Sequence, residues 1–148
     1  MTLSIDPHNL ERFVRAQGPV YDEALSELRN GRKQSHWMWF IFPQFEGLGR
    51  SSMSRQYSIK SAAEAQAYLN HPVLGPRLRE CATAVNNIVK RSALEIFGSP
   101  DDRKLQSCAT LFGTVSQEPV FQQLLEKYFD GQGDNETIRL LRAASEAG

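Results

Sequence analysis

Cysteine is scarce in this sequence, which argues against a zinc-binding domain and against a disulfide-rich domain. Only two cysteines occur among 148 residues. They are Cys81 and Cys108, and neither belongs to a CxxC pair or a Cys/His cluster, so a zinc site is not expected. Both fall at apolar positions of predicted helices, where a reduced core cysteine is favoured over a disulfide. We therefore expect neither a metal nor another cofactor.

Neither sign of charge is in excess, because 17 Lys and Arg residues balance 17 Asp and Glu residues. General nucleic-acid binders and membrane-surface binders carry an excess of basic residues. The balanced composition therefore argues against both functions. A net charge near zero also removes one barrier to self-association, so a homodimer is compatible with the sequence.

Long apolar runs are also missing. The longest strictly apolar stretch is Trp37–Phe42, far short of the roughly 20 residues that a membrane span requires. The segment Met1–Asp6 lacks the basic start and apolar run of a signal peptide. No GxSxG, HExxH or P-loop motif occurs. These absences predict a cytoplasmic protein, bacterial in style, without one of the common catalytic signatures.

Helix signals are what the sequence has in abundance. Capping boxes occur at Ser61–Glu64 and Ser92–Glu95, and Gly31 fits a helix C-terminal stop. Apolar residues keep helical spacing from Leu74 to Val89, which predicts the central core helix. With no internal repeat and no linker, we predict one mainly α-helical domain over residues 1–148, with six to eight helices.

The stretch 36–60 is less helical in character. Periodicity cannot decide whether Trp37–Gln44 is a buried helix or a strand, and residues 46–57 lack periodicity altogether. A short two- or three-stranded element is therefore expected near residues 36–60.

The segment 31–57 holds the residues best suited to ligand chemistry. Arginine can form forked hydrogen bonds with phosphate, an aromatic face can stack on a base, and glycine permits close backbone approach. The candidate ligand-binding residues are Arg32, Lys33, Trp37, Trp39, Gln44, Gly47, Gly49, Arg50 and Tyr57. The candidate catalytic residues are His36, Asp101 and Asp102, of which His36 would transfer protons because histidine titrates near neutral pH.

Each of these residues also has a structural interpretation. Trp37 and its aromatic neighbours at helical spacing are typical of a core, and His36 is typical of a hydrogen-bonded structural histidine. Asp101 and Asp102 form a carboxylate pair, but acidic residues in the first turn of a helix also stabilise its dipole. In that interpretation Lys104 is solvated.

Between Leu10 and Leu141 the chain closely resembles a bacterial family called domain of unknown function eighteen-ten. The longest shared motif, residues 31–44, reads GRKQSHWMWFIFPQ. The other shared motifs are residues 47–49, 57–59, 64–65, 68–75, 96–98, 101–107 and 110–112. The resemblance implies a compact, mainly α-helical fold and no established activity.

Two further implications accompany this resemblance. Members sometimes carry the label calpastatin, after an inhibitor of calpain proteases; calpastatin inhibitory segments are disordered and polar, whereas this chain has core helices throughout. The family is also distantly similar to the NAD-and-ADP-ribose-associated superfamily, which cleaves N-glycosidic bonds. Residues 35–37 are comparable to its Ser-Glu-His-aromatic stretch but lack the catalytic glutamate.

Two functional hypotheses follow. In the first, the protein binds or acts on a phosphate-containing nucleotide or ADP-ribose-like molecule, as an N-glycosidase or hydrolase if it is an enzyme. Asp101 or Asp102 would then stabilise an oxocarbenium-like centre. In the second, an exposed aromatic patch at residues 37–45 contacts a protein partner or a second copy of the chain.

Overall fold

The computed structural model of the chain describes residues 6–49 and 51–147, and the side chains as far as Ser145. Regular structure in these residues is α-helical, which confirms the mainly α prediction. The helices are α1 (Glu11–Gln17), α2 (Tyr21–Arg29), α3 (Met38–Ile41), α4 (Ser52–Gln56), α5 (Ala62–Asn70), α6 (Leu74–Asn86), α7 (Ala93–Phe97), α8 (Asp101–Val115), α9 (Pro119–Phe129) and α10 (Asn135–Ala147). None of these described helices has both the length and the apolar character needed to cross a bilayer.

The described residues thus form ten helices, where the sequence pattern predicts six to eight. Helices α3, α4 and α7 have only four or five residues each, which is too short for a periodic signal. The stranded element expected near residues 36–60 is reduced to one isolated parallel bridge between Phe45 and Ile59. The stretch Trp37–Gln44 contains the short helix α3 rather than a strand.

Helices α6 and α8 form the centre of the packing. Helix α6 packs against α2, α5 and α9, and α8 packs against α5, α7, α9 and α10. Phe112 of α8 lies between two aromatic rings, with centroid distances of 5.4 Å to Tyr68 and 5.7 Å to Phe121. The prediction of a central helix from residue 74 is confirmed, and α8 shares that position.

The sequence pattern predicts that the buried face of α6 continues to Val89, which is too far. The helix ends at Asn86, and Val89 is 72% exposed. Residues beyond a helix end no longer follow its periodicity, so Val89 leaves the buried face.

The cysteine prediction is confirmed, because Cys81 and Cys108 are both free and buried. Burial raises the pKa of the Cys81 thiol to about 12.

The two predicted capping boxes form in different ways. At Ser92, both halves of the box are present. At Ser61, the hydroxyl accepts from the backbone of Glu64, while the Glu64 carboxylate accepts from the backbone of Lys60. Glu64 is diverted because its other oxygen binds Arg12 at 2.7 Å, and this ion pair ties α1 to α5.

Candidate functional site

The segment after α2 begins with a turn that Gly31 makes possible. Gly31 has φ +80°, its N–H donates to the carbonyl of Leu28, and the N–H of Arg32 donates to the carbonyl of Glu27. This pair of bonds is a Schellman motif, which confirms the predicted helix stop. The Lys33 N–H then donates to the Ile96 carbonyl at 2.7 Å, so the segment is attached to the end of α7.

Trp37 is a core residue rather than a ligand platform. It is 1% exposed, and its indole N–H donates to Glu27 Oε1 at 2.9 Å. The same carboxylate accepts from the backbone N–H groups of Gln34 and Ser35 and from the Ser35 hydroxyl. Glu27 is thus a structural acceptor that fixes the turn leading into α3.

These hydrogen bonds keep the Glu27 carboxylate ionised. Burial alone would raise its pKa, but the donors from Ser35, Gln34 and Trp37 together lower the pKa to about 2. A carboxylate that accepts several hydrogen bonds is stabilised in its charged form. The charge on Glu27 is therefore stabilised by neutral donors.

A second cluster lies where this segment meets the start of α8. Lys33 Nζ is 2.9 Å from one oxygen of Asp101, and Lys104 Nζ is 3.0 Å from the other. The exposed fractions of these side chains are 9% for Lys33, 18% for Asp101 and 20% for Lys104. Burial raises the pKa of Asp101, but the hydrogen bonds from Lys33 and Lys104 outweigh it and hold that pKa below its usual value.

Trp39 borders this cluster. Lys104 Nζ lies 3.9 Å from the centroid of a Trp39 ring, within the range of a cation–π contact. Trp39 is partly exposed, unlike Trp37. We call Lys33, Trp39, Asp101 and Lys104 the Trp39 site. It unites side chains from two regions of the chain more than 60 residues apart.

Three more candidate ligand residues, Gln44, Gly49 and Tyr57, lie beside Trp39. With Trp39 they line a recess whose free volume is only about 10 Å³. A Cβ on Gly49 would lie 2.5 Å from Ser54 Cβ and 3.5 Å from Trp39 Cη2. Glycine at position 49 therefore lets Gly49 and Ser54 approach each other closely beside the indole.

Other candidate residues do not join this site. His36 is exposed and makes no hydrogen bond or ion pair with a described residue. Arg32 lines a different recess, beside Arg91. Gly47 is exposed and has φ +103°, and a Cβ there would contact Leu140 at 3.4 Å. The candidate ligand residue Arg50 lies outside the described residues.

Asp102 is next to the site but differs from Asp101. One of its carboxylate oxygens is buried and has no hydrogen-bond partner among the described residues. Its backbone N–H donates to the Gly98 carbonyl at 2.9 Å, as expected in a first helical turn. The two adjacent carboxylates therefore differ in their contacts: Asp101 binds two lysines, whereas one oxygen of Asp102 is buried without a described partner.

The aromatic patch proposed at residues 37–45 is mostly internal. Five of its apolar side chains are at most 5% exposed: Trp37, Met38, Ile41, Phe42 and Phe45. Trp39 and Phe40 are partly exposed. The core interpretation therefore accounts for most of this run, and Trp39 is its member beside charged groups.

Sequence reasoning missed two functional candidates. The sequence pattern suggested that Lys104 is solvated, but its side chain is only 20% exposed and binds Asp101. Its signal was the i, i+3 spacing from Asp101, which places both on one helix face. Arg91 carried no local signal, because its position depends on the contact between two distant turns.

Within the described residues, no three His, Cys, Asp or Glu side chains gather in a way that could hold a metal ion.

Comparisons with known proteins agree with this fold. Residues 7–141 match the model of a family described as protein of unknown function (DUF1810). The crystal structure of the conserved hypothetical protein Rv1873 from Mycobacterium tuberculosis is similar, with a TM-score of 0.92 and 53% sequence identity. The similarity covers 93% of this chain and 99% of that one. The comparison with curated proteins gives no match. The chain therefore belongs to the DUF1810 family of proteins of unknown function.

Proposed function

We propose that this protein binds a small phosphate-bearing molecule of the nucleotide or ADP-ribose type at the Trp39 site. The observation that carries the proposal is the contact of two ammonium groups with one carboxylate, beside a partly exposed indole. Lys33 and Lys104 lie 2.9 and 3.0 Å from Asp101, and Lys104 lies 3.9 Å from the Trp39 ring centroid.

The charge balance of this cluster favours an anionic ligand. Two ammonium groups face one carboxylate, which leaves one positive charge in excess within the trio. Each ammonium has three N–H donors, so the contact with Asp101 leaves donors on Lys33 and Lys104 for further acceptors. A phosphate group supplies acceptor oxygens and the opposite charge.

Trp39 supports a ligand that also carries a flat ring. An aromatic face stacks on a base with a contribution of about 1–3 kcal/mol. The recess beside it, about 10 Å³, is far below the roughly 300–1,000 Å³ of typical ligand pockets. Binding of a base would therefore require the described residues beside Trp39, among them Gly49 and Ser54, to move away from its ring.

Binding, rather than catalysis, is what the residues at this site support. Asp101 is held ionised between two lysines, so it is a poor proton donor. His36, the candidate proton-transfer group, makes no contact with the cluster through a described hydrogen bond or ion pair. A positioned acid or base must reach the reacting atom, directly or through one water.

The proposal is tested by titrating the protein with ADP-ribose, AMP and NAD. Pyrophosphate and adenosine serve as probes that carry only the phosphate or only the base. Binding is followed by tryptophan fluorescence and thermal unfolding. A ligand at about 100 times its Kd should stabilise the fold by about 2.7 kcal/mol, and fluorescence should change because Trp39 is at the site.

Lys104→Gln is the decisive variant. Its matched control is Arg103→Gln, at the preceding residue of the same helix. Arg103 is exposed, so its loss should leave ligand affinity unchanged, whereas loss of Lys104 should weaken it about tenfold. Equal binding by wild type and Lys104→Gln, or no response to any of the five probes, would contradict the proposal.

A further inference from the structure

We infer that the recess between Arg32 and Arg91 is a second, independent site that binds a small phosphate group, either inorganic phosphate or a phosphate monoester. The recess has a volume of about 200 Å³. Its lining consists of the polar side chains of Glu27, Asn30, Arg32, Gln34 and Arg91.

The fold brings the two arginines together from separate turns. Arg32 directly follows the Schellman turn at Gly31 that ends α2. Arg91 precedes α7, and its Nη1 donates to the Gly31 carbonyl at 3.3 Å. A Cβ on Gly31 would lie 3.6 Å from Arg91 Cδ, so the stem of Arg91 lies against the turn. Arg91 is therefore partly positioned before any ligand arrives.

The charges of these arginines are not neutralised by a direct ion pair, although the Arg91 charge contributes to lowering the pKa of Glu95. Among the described residues, no carboxylate lies within 4.0 Å of the nitrogens of Arg32 or Arg91. Glu27 lines the recess, but its oxygens accept from Gln34, Ser35 and Trp37. Two guanidinium groups against one carboxylate leave the lining with one positive charge in excess.

The size and chemistry of the recess select the ligand. About 200 Å³ is below the roughly 300–1,000 Å³ of pockets that enclose larger ligands, and all five lining side chains are polar. Guanidinium groups form forked hydrogen bonds with phosphate oxygens, and the amides of Asn30 and Gln34 can donate further bonds. A compact oxyanion fits this volume and these donors, whereas a large ligand does not.

This site is separate from the Trp39 site although Arg32 and Lys33 are neighbours in the chain. Lys33 binds Asp101, whereas Arg32 lines the recess with Arg91. The inference therefore does not rest on the proposed function, and different variants test the two.

The test uses isothermal titration of the full chain with inorganic phosphate and with ribose 5-phosphate, at constant ionic strength, with acetate as a monovalent control anion. We expect saturable binding of at least one phosphate probe. The Arg32→Gln/Arg91→Gln double variant should bind that probe at least about tenfold more weakly. Arg91→Lys keeps the charge but loses the fork, so its affinity should lie between those of wild type and the double variant.

Arg142→Gln on α10 is the control for general surface charge and should bind the phosphate probes like wild type. Lys33→Gln reports on the Trp39 site, to which Lys33 belongs: any phosphate binding that is lost in Lys33→Gln but kept in the Arg32→Gln/Arg91→Gln double variant belongs to the Trp39 site. Circular dichroism verifies that each variant is folded. The inference would be overturned by the absence of saturable phosphate binding, by unchanged affinity in the folded double variant, or by an equal loss in Arg142→Gln. If the Lys33→Gln variant alone loses binding, the phosphate belongs to the Trp39 site and this inference is wrong.

Discussion

The two tryptophans, two residues apart in the chain, lie in opposite environments. Trp37 is buried, and its N–H is paired with a carboxylate that accepts three other hydrogen bonds. Trp39 is partly exposed, and its ring contacts Lys104, which shares the Asp101 carboxylate with Lys33. Lys33 Nζ itself lies 5.2 Å from the centroid of a Trp37 ring. A polar network in which every group is satisfied stabilises a fold. A cluster with one charge in excess can still bind a ligand, so this difference separates scaffold from candidate site.

The largest expected effect concerns the tryptophans themselves. Trp37→Ala should destabilise the protein by about 3–5 kcal/mol, because it leaves a cavity in the core and removes a donor from Glu27. Trp39→Ala should cost only about 1–2 kcal/mol, since it removes partial burial and one cation–π contact. Urea unfolding of both variants measures the difference, and equal losses would refute the division between scaffold and site.

The next effect is the pH dependence of the Trp37 region. The pKa of Glu27 falls from 4.5 to about 2 on folding. A lowered carboxylate pKa stabilises the fold above the unfolded value, so this stabilisation is complete above about pH 5 and is lost as pH falls from 4.5 towards 2. The loss should amount to about 2–3 kcal/mol.

Glu27→Gln provides the comparison for that titration, because glutamine cannot ionise. Its unfolding free energy should be lower than that of wild type at pH 7, and the difference should shrink as pH falls towards 2. Parallel curves for wild type and variant between pH 5 and pH 2 would show that Glu27 does not carry this dependence.

Gly49→Ala tests the close approach of Gly49 and Ser54 beside Trp39. Its Cβ would lie 2.5 Å from Ser54 Cβ, a clash that should cost about 1–3 kcal/mol. Combining it with Ser54→Gly removes the clashing atoms and should restore part of the stability. Thermal unfolding follows the stability, and acrylamide quenching of tryptophan follows the exposure of Trp39. A fully stable Gly49→Ala with unchanged quenching would contradict the close approach.

The smallest stability effect is expected at Asp101. Asp101→Asn should lower the free energy of unfolding by about 1 kcal/mol. Exposed ion pairs contribute up to about 1 kcal/mol, and these ion pairs are expected at the upper end of that range because their side chains are mostly buried. The same change removes the negative charge between Lys33 and Lys104, so affinity for a phosphate-bearing probe should rise. Chemical unfolding and ligand titration measure the two quantities, and a fall in affinity would mean that the carboxylate itself contacts the ligand.

Much of the fold could be predicted because its signals are local. The stop at Gly31, the cap at Ser92 and the buried stripe of α6 depend on residues within one or two turns. The number of helices was underestimated because a helix of four or five residues holds about one turn, which carries no period. For the candidate site, residue chemistry selected Lys33, Trp39 and Asp101 but could not place them together.

The sequence by itself determined that the chain is mainly helical, where most long helices begin and end, and which residue types could bind an anion. Only the tertiary structure decided that Trp37 is internal and Trp39 is not, and that Lys33 and Arg32 face different clusters. Helix boundaries follow from hydrogen bonds and periodicity within a few residues. The environment of a side chain depends on which distant helix packs against it, and here that partner is α8 for Lys33 and the turn before α7 for Arg32.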